Sequence, residues 1–217
     1  HPLSEQRPRV EEILYRAGES LITQDTSWYV NAFSDYGANS GNVILEHLVT
    51  SYPSSNRLAD AYRLRGDWRL RRGEFEDAQQ NFIDLVSFRS DSEWTPYALY
   101  QIAMSQFFQL SGPEYDLQEI ELARSELLEL LRNPPERPDF QASAQQALAT
   151  VNLWISQRHL KIADYYARVG NPAGEKLHLE RAVATGPDLE PGKAAAARLA
   201  AMQNPTPQGD ASPSPNR

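Results

Sequence analysis

Residues 57–91 read RLADAYRLRGDWRLRRGEFEDAQQNFIDLVSFRSD, and their spacing decides how the rest of the chain is read. Leu58, Tyr62, Gly66 and Leu70 fall about four apart, which lines one face of a helix. After a break at Arg72-Gly73-Glu74, Phe75, Ala78, Phe82, Leu85 and Val86 repeat that periodicity. Gly73 can take the positive φ that ends the first helix. Small residues stand where two helices must approach closely, Gly66 midway along the first and Ala78 early in the second. These two are expected to face each other across a tight crossing. The stretch is therefore a pair of amphipathic helices on a short turn.

The spacing resembles the tetratricopeptide repeat, a helix–turn–helix of about 34 residues. Gly66, Gly73, Phe75, Ala78, Phe82 and Leu85 stand in matching places, while Ser90 replaces the usual closing proline. Upstream, residues 9–22 predict a helix with Val10, Ile13, Leu14, Ala17 and Leu21 on one side. Residues 24–40 break that period with Asn, Asp, Ser and Gly, and predict a loop tucked down by Trp28, Tyr29 and Phe33. A short helix over 42–51, closed by Tyr52-Pro53-Ser54, then completes a degenerate first repeat with a long insertion.

Downstream, residues 95–110 form a helix with Pro96 suited to its first turn. A loop over 111–118 and a helix over 119–132, with Ala123, Leu127, Leu128 and Leu131 on one side, make an enlarged third repeat. Residues 139–169 read as one helix, about 46 Å long at 1.5 Å per residue. Its Ala147, Val151 and Trp154 are expected against 119–132, and its Ile162 and Tyr166 against a partner helix over 173–185 carrying Leu177, Leu179, Ala182 and Val183. It would then be a strut between halves 1–133 and 134–202. The Ala-rich 193–202 would cap the stack, and 203–217, rich in Pro and Ser, is expected to be disordered. The fold expected over 1–202 is all-α, a right-handed tetratricopeptide-type helical solenoid of about four to five helix pairs.

Composition narrows the function. Of 217 residues, 41% are apolar and 23% charged, which is ordinary for a globular protein. A net charge of −8 opposes nucleic-acid binding, which needs a basic surface. No apolar run approaches the roughly 18 residues of a membrane span, and HPLSEQRPRV lacks the apolar centre of a secretory signal. The absence of cysteine removes disulfides, thiol catalysis and cysteine-ligated metals from consideration. His1, His47, His159 and His178 form no HExxH and no i, i+4 pair, so a zinc site would need ligands gathered from distant helices. No glycine-rich phosphate loop and no GxSxG occurs. Glu11-Glu12 and Glu74/Glu76 read as charged helix surface rather than as an acid/base pair. The expectation is a protein with no enzymatic activity, no cofactor and no metal.

Two features are suited to binding. Arg63, Arg65, Arg69, Arg71 and Arg72 crowd one helix of an acidic chain. Arg65, Arg69 and Arg72 share a side and could clamp a partner's carboxylates; the plainer alternative is a solvated face balanced by Glu74, Glu76 and Asp77. Tyr97, Tyr100, Met104, Phe107 and Phe108 run along the 95–110 helix, as peptide-binding groove or as ordinary core.

A finer resemblance lies in the order of features. Tyr52-Pro53-Ser54-Ser55 precedes the clear repeat; the loop and helix GPEYDLQEIELARSELLELL follow it; then come a proline break, LKIADYYARVGN, LERAV and Gly186-Pro187. Over roughly 41–202 this resembles the BamD family, tetratricopeptide lipoproteins of the bacterial outer-membrane β-barrel assembly machinery. That family opens a helix with an Asp-Gln pair, from which Asp116-Leu117-Gln118 departs; Tyr165-Tyr166 followed by Gly170 keeps a second family feature. The 24–40 insertion departs from the family's compact first repeat. The resemblance implies a protein-binding scaffold in the periplasm, attached to the outer membrane through an upstream lipid anchor or a partner. Its C-terminal half would dock on a barrel-assembly subunit and its N-terminal half on client or accessory proteins. The alternatives are an accessory subunit of another membrane or secretion complex, or a small-molecule or peptidoglycan-associated binder.

Overall fold

Gly73 adopts φ +73°, and the turn it makes sets the geometry of the central repeat. Its N–H donates to the Leu70 carbonyl and that of Glu74 to the Arg69 carbonyl, both at 3.0 Å, which satisfies the last carbonyls of the preceding helix. In this computed structural model, which describes residues 2–23 and 31–203, nine helices and no strand occur among the described residues. They are α1 (Pro2–Thr23), α2 (Asn31–Ser51), α3 (Leu58–Arg71), α4 (Phe75–Phe88), α5 (Thr95–Gln109), α6 (Leu117–Arg132), α7 (Pro138–Arg168), α8 (Pro172–Thr185) and α9 (Glu190–Gln203). The fold is an all-α helical repeat in which neighbouring helices pack in consecutive pairs. The expected disordered tail lies, from residue 204, outside the described residues.

Two compact units divide the chain, one of residues 1–111 with 122–148, the other of 112–121 with 149–217. In the N-terminal unit the buried faces of α1 to α5 share one core, with Leu45, Leu48, Leu58, Ala61, Phe82, Leu85 and Ala98 fully or almost fully covered. Burial of this kind contributes about 1.5–3 kcal/mol per large side chain. The face chosen for α3 is the buried one, and Ala59, Leu64 and Trp68 are covered besides. That second buried side exists because α3 packs against α1 and α2 as well as α4.

What stands nearest Gly66 is the Phe82 ring. A Cβ on Gly66 would stand 2.6–2.9 Å from three ring carbons of Phe82, so the glycine makes room for an aromatic ring. Ala78 is nevertheless fully buried. Ala78→Leu is therefore expected to overpack the repeat by roughly 1–3 kcal/mol, read as a lower urea midpoint with the m-value unchanged. A wild-type midpoint would mean that the α3–α4 core is looser than the structure has it.

Two further expectations change in the first pair. Residues 31–40, read as loop, belong to α2; the remainder of that loop, 24–30, lies outside the described residues. Just past this stretch the helix packs closely on its neighbours. A Cβ on Gly41 would come within 2.8 Å of the Gly18 carbonyl oxygen, and Asn42 is buried and hydrogen-bonded to Arg65. Over residues 6–23 of α1 the buried ones are Tyr15, Gly18 and Ile22, whereas Val10 and Ile13 are exposed. The face expected around them is rotated because the α2 contact centres on Gly18.

In the C-terminal unit, Ala163, Leu179, Ala182 and Ala195 form the core with Leu160, Val183 and Leu199 packed on it. The Ser156 hydroxyl donates to the Ala182 carbonyl at 2.9 Å, and Tyr166 lies against Gly174, so this part of α7 pairs with α8 as expected. Leu177 is exposed, a correction to the face assigned to α8. Asn171 caps α8 by accepting from the Gly174 N–H at 3.0 Å. At the start of α9, a Cβ on Gly192 would stand only 1.9 Å from the Gly186 carbonyl oxygen, so two stretches of backbone touch there. α7 itself is a single helix of 31 residues.

Candidate protein-docking surface

The arginines of α3 each find a partner within the N-terminal unit. Arg63 donates to Asp67 at 3.0 Å, and its guanidinium lies 4.2 Å from the Trp94 ring. Arg65 has a side chain only 12% exposed; its Nε donates to Asn42 Oδ1 at 3.1 Å, and Glu46 stands 3.7 Å away. Burial pushes the Arg65 guanidinium below its ordinary value, with the Glu46 carboxylate opposing. Arg69 bridges Glu74 and, at 3.1 Å, Asp77. Arg72 donates to Glu74 at 2.7 Å, and the guanidiniums of Arg69 and Arg72 lie 4.9 and 5.0 Å from the Trp68 ring. These bonds, to Arg72 first and then Arg69, hold the Glu74 carboxyl below the usual carboxylate range. The acids proposed to balance the cluster are thus two of its partners, Glu74 and Asp77, and Arg72 is more accessible than Arg63, Arg65 or Arg69.

The aromatic stripe of α5 separates into two groups. Tyr97 donates to Asp67 at 2.6 Å and meets Phe82 edge-on at 5.9 Å. Tyr100 is buried with its ring stacked on Phe140 at 4.2 Å and 6°, and the Arg137 guanidinium sits 4.0 Å from the same ring. Met104 is buried as well. Tyr97, Tyr100 and Met104 therefore serve the core. Phe108 is 46% exposed, and it contacts Phe75 at 5.4 Å and Phe107 at 5.6 Å. Because Phe75 directly follows Glu74, this cluster, in which Phe75 and Phe107 are half-buried, adjoins the Arg69–Glu74–Arg72 network at the α3–α4 turn. The two features that looked separate in the sequence meet at one end of the α3–α4–α5 stack.

Sequence reasoning missed a histidine pair. His159 of α7 and His178 of α8 face each other with Nδ1 atoms 3.2 Å apart, and Tyr166 stacks on His178 at 5.5 Å. His159 is 2% exposed, and burial, with His178 and Arg181 nearby, pushes it down to about 4. Among the described residues no group of three or more His, Cys, Asp or Glu side chains gathers as a metal site would require. A single shared hydrogen bond accounts for the pair. No protein-family model matches the chain, and no curated protein matches it.

Proposed function

We propose that the chain is a non-enzymatic, protein-binding scaffold of the bacterial envelope, of the BamD kind, acting in outer-membrane protein assembly. The observation that carries the docking part is the exposed Phe108 ring, packed on the half-buried Phe75 and Phe107 and set beside Arg69 and Arg72. Large apolar rings next to a guanidinium that can trade partners are the residue types that dominate protein interfaces. The order of features shared with the BamD family supports the envelope part. Among the described residues no helix is long and apolar enough to cross a membrane, which suits attachment through a lipid anchor or a partner.

The test is co-purification of the tagged chain from mild-detergent extracts, wild type beside the double variant Phe108→Ser, Arg72→Glu. Both positions are accessible, so helicity should be unchanged while recovery of barrel-assembly subunits falls about tenfold or more, the factor that corresponds to about 1.4 kcal/mol. Recovery of a different membrane complex by the wild type would remove the outer-membrane assembly reading. Equal recovery by both proteins would remove this surface as the docking site.

A further inference from the structure

Between α5 and the later turns of α6, both within the N-terminal unit, runs a groove of about 190 Å³ lined by Leu99, Ile102, Glu126, Glu129, Leu130 and Asn133. Leu99 is 46% exposed, as is Leu122 at 45%, and Leu122 stands one turn before Glu126 on the same side of α6. The groove is below the size of a small-molecule pocket and suits one large aliphatic side chain.

Its charge is of one sign. Glu129 is bridged by Arg132 at 2.5 Å. Glu126 has no cationic partner among the described residues, and burial alone pushes its carboxyl above the ordinary carboxylate range. A half-buried carboxylate beside exposed leucines is an arrangement that an incoming cation would improve, since the cation would supply the counter-charge that stands in for lost hydration.

We propose that this groove docks an amphipathic basic helix of a partner protein, with a leucine-like side chain between Leu99, Ile102 and Leu130 and a Lys or Arg one turn away on Glu126. It is the helix-in-groove mode of recognition. It is a different surface from the Phe108–Arg72 cluster, and the two readings fail independently: co-purification decides that one, and a peptide titration this one.

The probe is an end-blocked helical peptide of leucine and lysine, with leucines at i, i+3, i+4 and i+7, fluorescently labelled and titrated with the full chain. A counterpart with glutamate in place of lysine controls for charge. The lysine peptide should bind saturably and more weakly at higher salt, and the glutamate peptide should not. Leu99→Ser and Glu126→Gln should each weaken binding about tenfold, whereas Glu180→Gln, an exposed carboxylate of the other unit, should not. Neither groove variant threatens the fold, since Leu99 is exposed and Glu126→Gln removes an unpaired carboxylate. The proposal falls if neither peptide binds, if both bind alike, or if the groove variants bind like wild type. It also falls if sedimentation shows the chain pairing with itself through this face, with the dimer lost in Leu99→Ser.

Discussion

Taken from pH 7 to pH 5, the C-terminal unit is expected to lose about 2 kcal/mol of stability through His159 alone. The folded state holds this imidazole neutral, at about 4, because it is buried and faces His178 and Arg181. The unfolded chain binds a proton at the ordinary value near 6.5, so below that pH the unfolded state carries more protons than the folded one. Stability is complete above pH 6.5 and is drawn down until about pH 4, where the full loss reaches about 3 kcal/mol. His178 is lowered too, mainly by burial, and adds in the same direction. Urea melts followed by far-UV circular dichroism at pH 7 and pH 5 measure the loss. His159→Leu keeps the site apolar and removes the titration, so its loss over that range should be smaller by about 2 kcal/mol. Equal losses in variant and wild type would assign the acid lability elsewhere.

Gln157→Pro is expected to cost about 3 kcal/mol or more. Position 157 lies well inside α7, and proline there removes a backbone donor and drives its ring into the carbonyl of residue 153. The helix has no slack at this point, since Val151, Ile155, Ser156 and His159 around it are all buried. The α7–α8–α9 core should therefore unfold at lower urea, while the α3–α4 repeat, made of other residues, keeps its own midpoint. An unshifted C-terminal transition would mean that α7 does not continue as a helix through 157.

The parts of the fold legible in the sequence were those where local chemistry and periodicity agree. α3 and α4 have both, an apolar stripe on each helix and a glycine in the left-handed conformation between them. α5, α7 and α8 have prolines at or next to their first turns, which mark where each begins. The start of α2 was not legible, because Asn, Asp, Ser and Gly favour turns; the helix nevertheless begins at Asn31 and runs on into the stretch that meets α1 at Gly18 and Gly41. The candidate site was half legible for a similar reason. Spacing placed Arg65, Arg69 and Arg72 on one side of α3. It carried no sign that Asn42 and Glu46 of α2 would enclose Arg65, or that Phe140 would cover Tyr100. The His159–His178 pair joins two helices by a contact for which no sequence motif exists.

Two of the close-packed glycines constrain the descendants of this sequence in different ways. A side chain arising at 66 meets the Phe82 ring. A smaller residue at 82 makes room for it, so the two positions can drift together as a compensating pair. At 192 the obstacle is the carbonyl oxygen of residue 186, which every amino acid carries. No second change relieves it. Lineages that retain the path of the chain from α8 into α9 should retain a glycine at 192, while at 66 and 82 they should show linked exchanges of small for large.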